Sequence, residues 1–368
     1  MVEKYRIKMA IVGGGNIGRA CRDVIAQNKE AYEDMELVGV ISRDPTRASK
    51  DFPETEICPF DNPTIWLNLN ADVALLCGGS KNDLFGDEKK VQEILKDKDL
   101  ITKLVNSRGS ELLQLGQGPY FAQYFPTTLD TFDTHPRISD YHDILDAVAR
   151  PRGNLAVLST GWDPGTFSEM RIAFDSYAIG DKPAPFYGLK PEGGKSMGHS
   201  NALLTIKGVK KGIQYTHAVP ELIEMARRGE HLPEAKTVTR EAIIVLENDT
   251  PEERARVKKE TLEMEGYYRG YKTSVEFVDN ATYDTKHANA KQHDGVVIAT
   301  GKTGPYFARH EFACQYGNNS HGTAGIMVAS ARGAYKLKQE GKVGACILAD
   351  IPVSYRSGRS RAQLLKFM

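Results

Sequence analysis

Residues 8–27 read KMAIVGGGNIGRACRDVIAQ, and their pattern predicts a strand, a glycine-rich turn and a helix in that order. The glycines have the spacing G-x-G-x-x-G. In this pattern the first allows a tight turn, the second lets the backbone approach a pyrophosphate, and the third lets helix and strand pack closely. The helix N-terminus would add free N–H groups and a partial positive charge. A glycine turn needed only for packing is the alternative. The residues of this predicted nucleotide site are Gly13, Gly15, Asn16, Ile17 and Gly18.

The end of the second predicted strand, ELVGVIS at residues 36–42, indicates which dinucleotide binds. Enzymes that use NAD usually place an acidic residue there, where it binds the ribose 2′-hydroxyl. This chain has Ser42 and Arg43, a hydroxyl and a guanidinium that suit a 2′-phosphate, although Asp44 follows at once. We therefore predict NADP as the cofactor. The predicted cofactor site also includes, at the end of the third apolar run DVALLCGG and just beyond it, Cys77, Gly78 and Ser80.

The order of strands and helices predicts two domains. Strands alternating with helices indicate an α/β fold, so residues 1–160 are expected to form a Rossmann-type dinucleotide-binding domain with a doubly wound parallel sheet. Within it, the charged segment 84–115 is expected to be an extra surface helix, either solvated or in an oligomer contact. Residues 161–325 are expected to form an α+β substrate-binding and dimerisation domain. Its sheet is predicted to be mostly antiparallel, with NALLTIKG as one strand and PELIEMARRGE as the one charged helix. Residues 326–368 are expected to return to the first domain.

The composition excludes several classes of function. Lys plus Arg and Asp plus Glu both number 48 in 368 residues, so the chain has no basic field for nucleic acid. No apolar run reaches the ~18 residues of a membrane span and the N-terminus lacks a signal sequence, so we expect a cytoplasmic protein with no membrane partner. The cysteines lack CxxC spacing and the second-domain histidines lack i, i+4 spacing, so no metal site is predicted. A small molecule is the expected substrate.

Two turns that follow apolar runs carry acidic side chains. LSTGWDPGTF at residues 158–167 places Trp162 beside Asp163, and TTLDTFDTH offers Asp130 and Asp133. Ligands of an open parallel sheet lie beyond the carboxyl ends of its strands, so these turns are expected to meet in one crevice near the nicotinamide. Two carboxylates there would select an ammonium group and help it lose a proton before hydride departs. The alternative is that Asp133 and Asp163 only cap helices or fix turns.

Two polar residues of the second domain have open interpretations. Arg240 precedes the apolar run EAIIVLEN, where it could bind a carboxylate or simply face solvent. Ser200 lies in KSMGHSNAL, which reads as a loop leading into a helix, and could cap that helix.

Dispersed motifs in a common order resemble the meso-diaminopimelate dehydrogenase family over nearly the full chain. The matching motifs are AIVGGGNIGR, LVGVISR, LDTFDTH, STGWDPGTFS, GHSNAL, QYT, ARRGE, FVDNATYDTKH and VIATG. The resemblance implies an NADP-dependent oxidative deamination in lysine biosynthesis. In that reaction meso-2,6-diaminopimelate would be deaminated at its D-centre to L-2-amino-6-oxopimelate and ammonium. The reverse reaction would be a reductive amination. It also implies a homodimer joined through the second domain.

The resemblance further implies a role for individual residues. Asp133 and Asp163 would be the catalytic residues that hold the reacting amine. Arg240 would bind the carboxylate of the distal L-centre. The residues implied to bind the substrate are Trp162 beside the D-centre, Met197 and Gly198 at its carboxylate, and Thr216, Arg240, His293 and Asn319 at the distal L-centre.

Two stretches depart from the family pattern. Met197 and Asn201 stand where family members have a glutamine and an aspartate, and HANAKQHDG around His293 replaces HTGMPHGG. These departures leave open a related D-amino-acid or diamino-acid dehydrogenase with an altered pocket. A non-catalytic NADP-binding sensor is the alternative outside the enzymes, and the paired aspartates disfavour it.

Overall fold

The computed structural model of the chain forms two compact units. The first contains the chain up to Thr166 together with Ser320–Met368, and the second contains Phe167–Asn319. The divisions after residues 166 and 319 differ from those predicted after 160 and 325. The reason is that the turn after residue 158 folds back on itself within the first unit, and most of the long C-terminal helix packs in that unit's core. The residues described are 5–78, 88–177, 180, 182–233 and 237–368.

The first unit is built on a seven-stranded sheet. Its strands are β1 (Ile7–Val12), β2 (Met35–Ser42), β3 (Ile57–Pro59), β4 (Val73–Leu76), β5 (Thr127–Asp130), β6 (Leu155–Leu158) and β14 (Gly344–Ile347). The order across the sheet is β14-β6-β5-β4-β1-β2-β3, and every neighbouring pair is parallel. The predicted α/β class with a doubly wound parallel sheet is therefore confirmed.

Both faces of this sheet are covered. Along β1, Ala10 and Val12 enter one hydrophobic cluster, whereas Met9 and Ile11 enter another. All four side chains are buried, which explains why the strand reads as a continuous apolar run and not as an alternating one. The sheet is thus a rigid base for the loops at its carboxyl edge.

The first unit also contains ten α-helices among its described residues. They are α1 (Asn16–Gln27), α2 (Pro45–Asp51), α3 (Pro63–Leu67), α4 (Glu88–Lys96), α5 (Lys98–Asn106), α6 (Gln117–Ala122), α7 (Ile138–Ala149), α13 (Asn319–Gln339), α14 (Val353–Arg356) and α15 (Arg361–Leu365). The C-terminal part of the chain returns to this unit, since β14 pairs with β6 and α13 buries Met327 and Val328 against the sheet. On the same helix the buried Arg332 guanidinium pairs with Asp34 at 2.7 Å.

The segment predicted as one extra surface helix has a different structure. Its described part consists of α4, α5 and a 3₁₀ helix at Gly109–Leu115. Apolar side chains from all three pieces, such as Val91, Leu104 and Leu112, are buried in a cluster shared with the sheet. The prediction of a single surface helix was wrong, because the segment forms several short helices and each buries one apolar face in the core of its own unit.

The second unit contains two sheets. Its strands are β7 (Ala184–Tyr187), β8 (Gly194–Ser196), β9 (Val209–Ala218), β10 (Val238–Leu246), β11 (Thr273–Phe277), β12 (His293–Thr303) and β13 (Tyr306–Tyr316). One sheet has the order β11-β10-β9-β8 and the other β13-β12-β7. The pairs are antiparallel apart from β10 with β11, so the sheets are mostly antiparallel as predicted.

The helices of the second unit differ from the sequence prediction. They are α8 (Thr166–Tyr177), α9 (Met197–Leu203), α10 (Pro220–Arg228), α11 (Pro251–Glu263) and α12 (Asn280–Lys286). The prediction of one charged helix missed α11. The run NALLTIKG is not a strand, because its first three residues end α9, and Leu203 is buried there in a cluster that also contains Val257 of α11. Among the described helices, none is both long and apolar enough to cross a membrane.

Candidate active site

The glycine turn after β1 has the geometry of a nucleotide-binding turn. Gly13 has φ +98°, and a Cβ there would lie 3.2 Å from the backbone nitrogen of Gly78. A Cβ on Gly18 would collide with the carbonyl oxygen of Gly13, so this glycine is needed for packing the helix on the turn. Gly15, unlike Gly13 and Gly18, is not required by packing, because a Cβ there would meet no atom within 4 Å. It is exposed at the N-cap of α1, which leaves open space at the positive end of the helix dipole.

Three polar residues at the end of β2 make different contacts. Asp44 caps α2, since its carboxylate accepts a hydrogen bond from the backbone N–H of Arg47 at 3.0 Å. The hydroxyl of Ser42 contacts the backbone of Asp44 at 3.1 Å. Arg43 is exposed, and its guanidinium lies over the ring of Phe60 at 4.7 Å. The acidic residue that could have favoured NAD thus has a capping role, while a cation is held at the surface beside it.

The end of β4 contributes Cys77 and Gly78. The backbone N–H of Cys77 donates to the carbonyl of Val12 at 2.8 Å, and its thiol is buried beside Met327. A hydrogen bond with Cys21 and burial raise the pKa of the Cys77 thiol well above its usual value, so it stays protonated. Gln117 donates to the carbonyl of Gly78 at 3.0 Å and fills the space that a Cβ on Gly78 would need. Ser80, predicted to bind the cofactor, lies outside the described residues.

Asp133 and Asp163 follow neighbouring parallel strands, β5 and β6. The carboxyl ends of β1, β4, β5 and β6 share one edge of the sheet, so the first unit places both aspartates on the same edge as the glycine turn. Asp133 is exposed and Asp163 half-buried. The N-cap positions of α7 and of the 3₁₀ helix before it are held by Arg137 and Thr134, not by Asp133. Asp130 is buried instead and accepts a 2.5 Å hydrogen bond from the hydroxyl of Tyr141.

The bend that carries Trp162 and Asp163 is tightly closed. Gly161 bridges to Gly165, and a Cβ on Gly165 would collide with the Gly161 carbonyl oxygen. The Asp163–Pro164 peptide bond is cis. The side chain of Trp162 is buried while Asp163 keeps partial access to solvent. The bend therefore fixes an indole and a carboxylate side by side at the end of β6.

In the second unit, Arg240 is buried, and no described carboxylate forms an ion pair with it. Only 7% of the residue is exposed, and its Nε and Nη1 atoms have no hydrogen-bond partner among the described residues. Its Cζ atom lies 3.4 Å from the centre of the Tyr271 ring and 5.7 Å from that of Tyr268. Burial lowers the pKa of Arg240 to about 10, so the guanidinium is still charged at neutral pH. The interpretation that Arg240 faces solvent is therefore wrong.

Thr216 pairs directly with Arg240 across β9 and β10, so the two side chains share one face of the sheet. The amide nitrogen of Gln214 donates to the carbonyl of Tyr215 at 2.6 Å and to the hydroxyl oxygen of Thr216 at 3.1 Å. A carbonyl can only accept, so the amide orientation is fixed. Because the Thr216 oxygen already accepts, its hydroxyl hydrogen is available to donate to another group.

The remaining predicted substrate residues of this unit adjoin the same strands. Gly194 of β8 pairs with Thr216, and a Cβ there would collide with the ring of His293. The side-chain amide of Asn319 donates to the carbonyl of Lys195 at 2.9 Å. Of the four residues predicted for the distal centre, Thr216 and Arg240 are therefore paired on β9 and β10, while His293 and Asn319 contact β8 and are buried.

Met197 and Gly198 begin α9 directly after β8, and both are half-buried. Ser196 holds the N-cap position of this helix. Ser200 lies one turn further on, where its hydroxyl donates to the Ser196 carbonyl and accepts from the backbone N–H of Gln214. The prediction that Ser200 caps the helix was wrong, because its hydroxyl ties α9 to β9.

Sequence reasoning missed three residues that support these sites. Gln117, Gln214 and Tyr271 touch predicted site residues. Gln117 and Tyr271 contact residues far away in the chain, so no local motif signals them, whereas Gln214 lies two positions before Thr216. Of these three residues, only Gln214 lies in a motif that matches the family, namely QYT. Among the described residues, no cluster of His, Cys, Asp or Glu could hold a metal ion.

Comparison with known proteins identifies the family. A meso-diaminopimelate D-dehydrogenase of Lysinibacillus sphaericus is 34% identical over 374 residues, which cover 98% of each chain. The chain belongs to the meso-diaminopimelate dehydrogenase family. The profile of the diaminopimelic acid dehydrogenase C-terminal domain also matches residues 161–316 of this family member.

Solved structures agree with membership in the meso-diaminopimelate dehydrogenase family. The C. glutamicum diaminopimelate dehydrogenase in complex with DAP matches with a TM-score of 0.81 and 31% identity, over 98% of both chains. An engineered D-amino acid dehydrogenase bound to NADP⁺ matches with a TM-score of 0.79 and 30% identity, over 98% of this chain and 99% of the other. The sequence resemblance to this family is therefore confirmed.

Proposed function

We propose that this family member is an NADP-dependent oxidoreductase that deaminates meso-2,6-diaminopimelate at its D-centre. The products are L-2-amino-6-oxopimelate and ammonium, and the reverse reaction is a reductive amination. One observation carries the substrate assignment, namely a buried Arg240 guanidinium with unpaired N–H groups among the described residues. A buried cation is stabilised by an anion, and the planar fork of arginine matches a carboxylate. Diaminopimelate carries such a second carboxylate at the far end of its seven-carbon chain, beside a second amino group.

The proposed chemistry at the D-centre uses the two aspartates. Bound NADP⁺ supplies the hydride acceptor. Asp133 and Asp163 hold the substrate ammonium, and one carboxylate takes its proton, because the carbon releases hydride only from the neutral amine. Water then hydrolyses the resulting imine to the oxo group and ammonium. Trp162, buried in the same bend as Asp163, forms an apolar wall that orients the reacting carbon.

The other substrate contacts in this proposal come from the second unit. Arg240 binds the distal carboxylate, and the Thr216 hydroxyl donates to it, since Gln214 already occupies the acceptor side of that hydroxyl. His293 and Asn319 complete the distal site, and Met197 and Gly198 bind the D-centre carboxylate. The family resemblance supports these roles, and for the distal site the pairing of Thr216 with Arg240 and the contact of His293 with Gly194 support them as well.

The NADP assignment fits residues of the first unit. Gly15 leaves room for a pyrophosphate at the start of α1, together with the backbone of Gly13, Asn16 and Ile17. Ser42 and Arg43 hold the 2′-phosphate in this proposal, because Asp44 is engaged as a helix cap.

An assay of NADP⁺ reduction tests the function directly. The purified protein is mixed with NADP⁺ and either meso-diaminopimelate or D-2-aminoheptanoate, which has the same chain length but no distal amino or carboxyl group. We expect reduction with meso-diaminopimelate and a kcat/KM at least about 30-fold lower with the analogue. Preference for the analogue would indicate a D-amino-acid dehydrogenase, and NADP⁺ binding without turnover would indicate a sensor.

Arg43→Ala is expected to remove most of the preference for NADP over NAD. A charge-assisted contact with the 2′-phosphate accounts for about a 10- to 150-fold preference. The ratio of kcat/KM values for the two cofactors measures it, and Lys50→Ala at the exposed end of α2 is the matched control. An unchanged ratio in Arg43→Ala would reject the assignment.

We also propose that the protein is a cytoplasmic homodimer joined through the second unit. The family resemblance supports this arrangement, as does the turn between β12 and β13, where Tyr306 is 76% exposed and Phe307 61% exposed. Sedimentation equilibrium is expected to give twice the chain mass, and a monomer mass at all concentrations would contradict it.

A further inference from the structure

The guanidinium of Arg240 is held against an aromatic ring. At 3.4 Å from the ring centre, its Cζ atom is in stacking contact with Tyr271. A second ring, Tyr268, lies 5.7 Å from the same atom and is itself fully buried. Stacking occupies a face of the planar guanidinium and leaves its N–H edge free, and Nε and Nη1 are the atoms without a hydrogen-bond partner among the described residues.

The backbone fixes this stack on both sides. Arg240 pairs with Thr273 in the β10–β11 ladder, and its N–H donates to the Lys272 carbonyl at 2.9 Å. The N–H of Tyr271 donates to the Tyr268 carbonyl at 3.1 Å. The hydroxyl of Tyr268 in turn donates to the carbonyl of His199 in α9 at 3.0 Å. The ring of Tyr271 is therefore presented to Arg240 by hydrogen bonds that do not depend on a ligand.

We propose that Tyr271 is a positioning residue that sets the specificity of the distal site by holding the Arg240 guanidinium edge-on to the substrate carboxylate. This inference rests on the proposed function, in which Arg240 binds that carboxylate. An arginine side chain loses considerable rotamer freedom when it is fixed, and the stack fixes it before substrate arrives. It also stabilises a desolvated cation in the absence of an anion. Tyr271 itself needs no contact with the substrate.

Two substitutions at position 271 separate the ring from its hydroxyl. Tyr271→Leu removes the π face, and we expect KM for meso-diaminopimelate to rise about 5- to 30-fold with kcat within about twofold of the parent. Tyr271→Phe keeps the face and is expected to behave like the parent. With D-2-aminoheptanoate, Tyr271→Leu is expected to cause no change.

A double-mutant cycle tests whether Tyr271 acts through Arg240. In an Arg240→Met background, Tyr271→Leu is expected to add less than about a twofold further loss, because no guanidinium remains to be positioned. Independent, multiplicative losses would overturn the proposal, as would a Tyr271→Leu variant with parental KM. A fall in melting temperature with equal losses on both substrates would show a structural role and overturn it as well.

Failure of this inference is distinguishable from failure of the proposed function. If Arg240→Met itself leaves the substrate preference unchanged, Arg240 does not bind the distal carboxylate. The positioning role proposed for Tyr271 is then wrong as well. If Arg240→Met abolishes the preference while Tyr271→Leu retains it, only the positioning role of Tyr271 is wrong.

Discussion

Asp163→Asn is expected to lower kcat for meso-diaminopimelate by about 100- to 10,000-fold while leaving NADP⁺ affinity within about twofold. The range is that of a lost general base, since asparagine keeps the shape of the side chain but cannot take a proton from the substrate ammonium. Steady-state turnover gives kcat, and displacement of bound fluorescent NADPH by NADP⁺ gives the NADP⁺ affinity. Asp175→Asn, on the exposed side of α8, is the matched control and is expected to retain parental activity.

The opposite result would favour a structural role for the aspartate. If Asp163→Asn loses NADP⁺ affinity in parallel with turnover, or loses its cooperative thermal transition, the carboxylate fixes the Gly161–Gly165 bend and does not act on the substrate. The bend is closed by backbone contacts that asparagine leaves in place, including the Gly161–Gly165 bridge. We therefore expect the variant to melt within a few degrees of the parent.

The parts of the fold that the sequence could predict are those set by local constraints. Gly13 requires a positive φ and Gly18 requires the absence of a Cβ, so both constraints are visible in the glycine spacing itself. The strands of the first unit are buried on both faces, so they read as short apolar runs between turns. These features need no knowledge of distant residues.

The parts that could not be predicted depend on contacts between distant segments. The run NALLTIKG has the apolar content of a strand, but it ends a helix, and its Leu203 is buried in a cluster with residues far along the chain such as Val257. Tyr268 and Tyr271, which cover Arg240, lie about 30 positions further along the chain, so the sequence around Arg240 left solvent exposure open. Family resemblance assigned roles to such residues, but the physical reason for those roles is visible only in the fold.

Arg240→Met is expected to lower kcat/KM for meso-diaminopimelate by about 30-fold to several thousand-fold, because the distal carboxylate would be desolvated without a partner. Methionine retains much of the apolar volume, so the stack against Tyr271 becomes an ordinary apolar contact and the fold is expected to persist. The same change is expected to lower kcat/KM little with D-2-aminoheptanoate, which has no distal carboxylate.

With a pKa of about 10 the parental guanidinium is charged at neutral pH, so the comparison at pH 7 reports the loss of a full charge. Arg254→Met is the control, since Arg254 is an exposed arginine paired with Asp249 on the same unit. Equal losses of kcat/KM on both substrates would show that Arg240 has a structural role. No loss on either substrate would mean that other residues bind the distal carboxylate. The buried Arg240 guanidinium would then have to be paired with an anion other than the substrate.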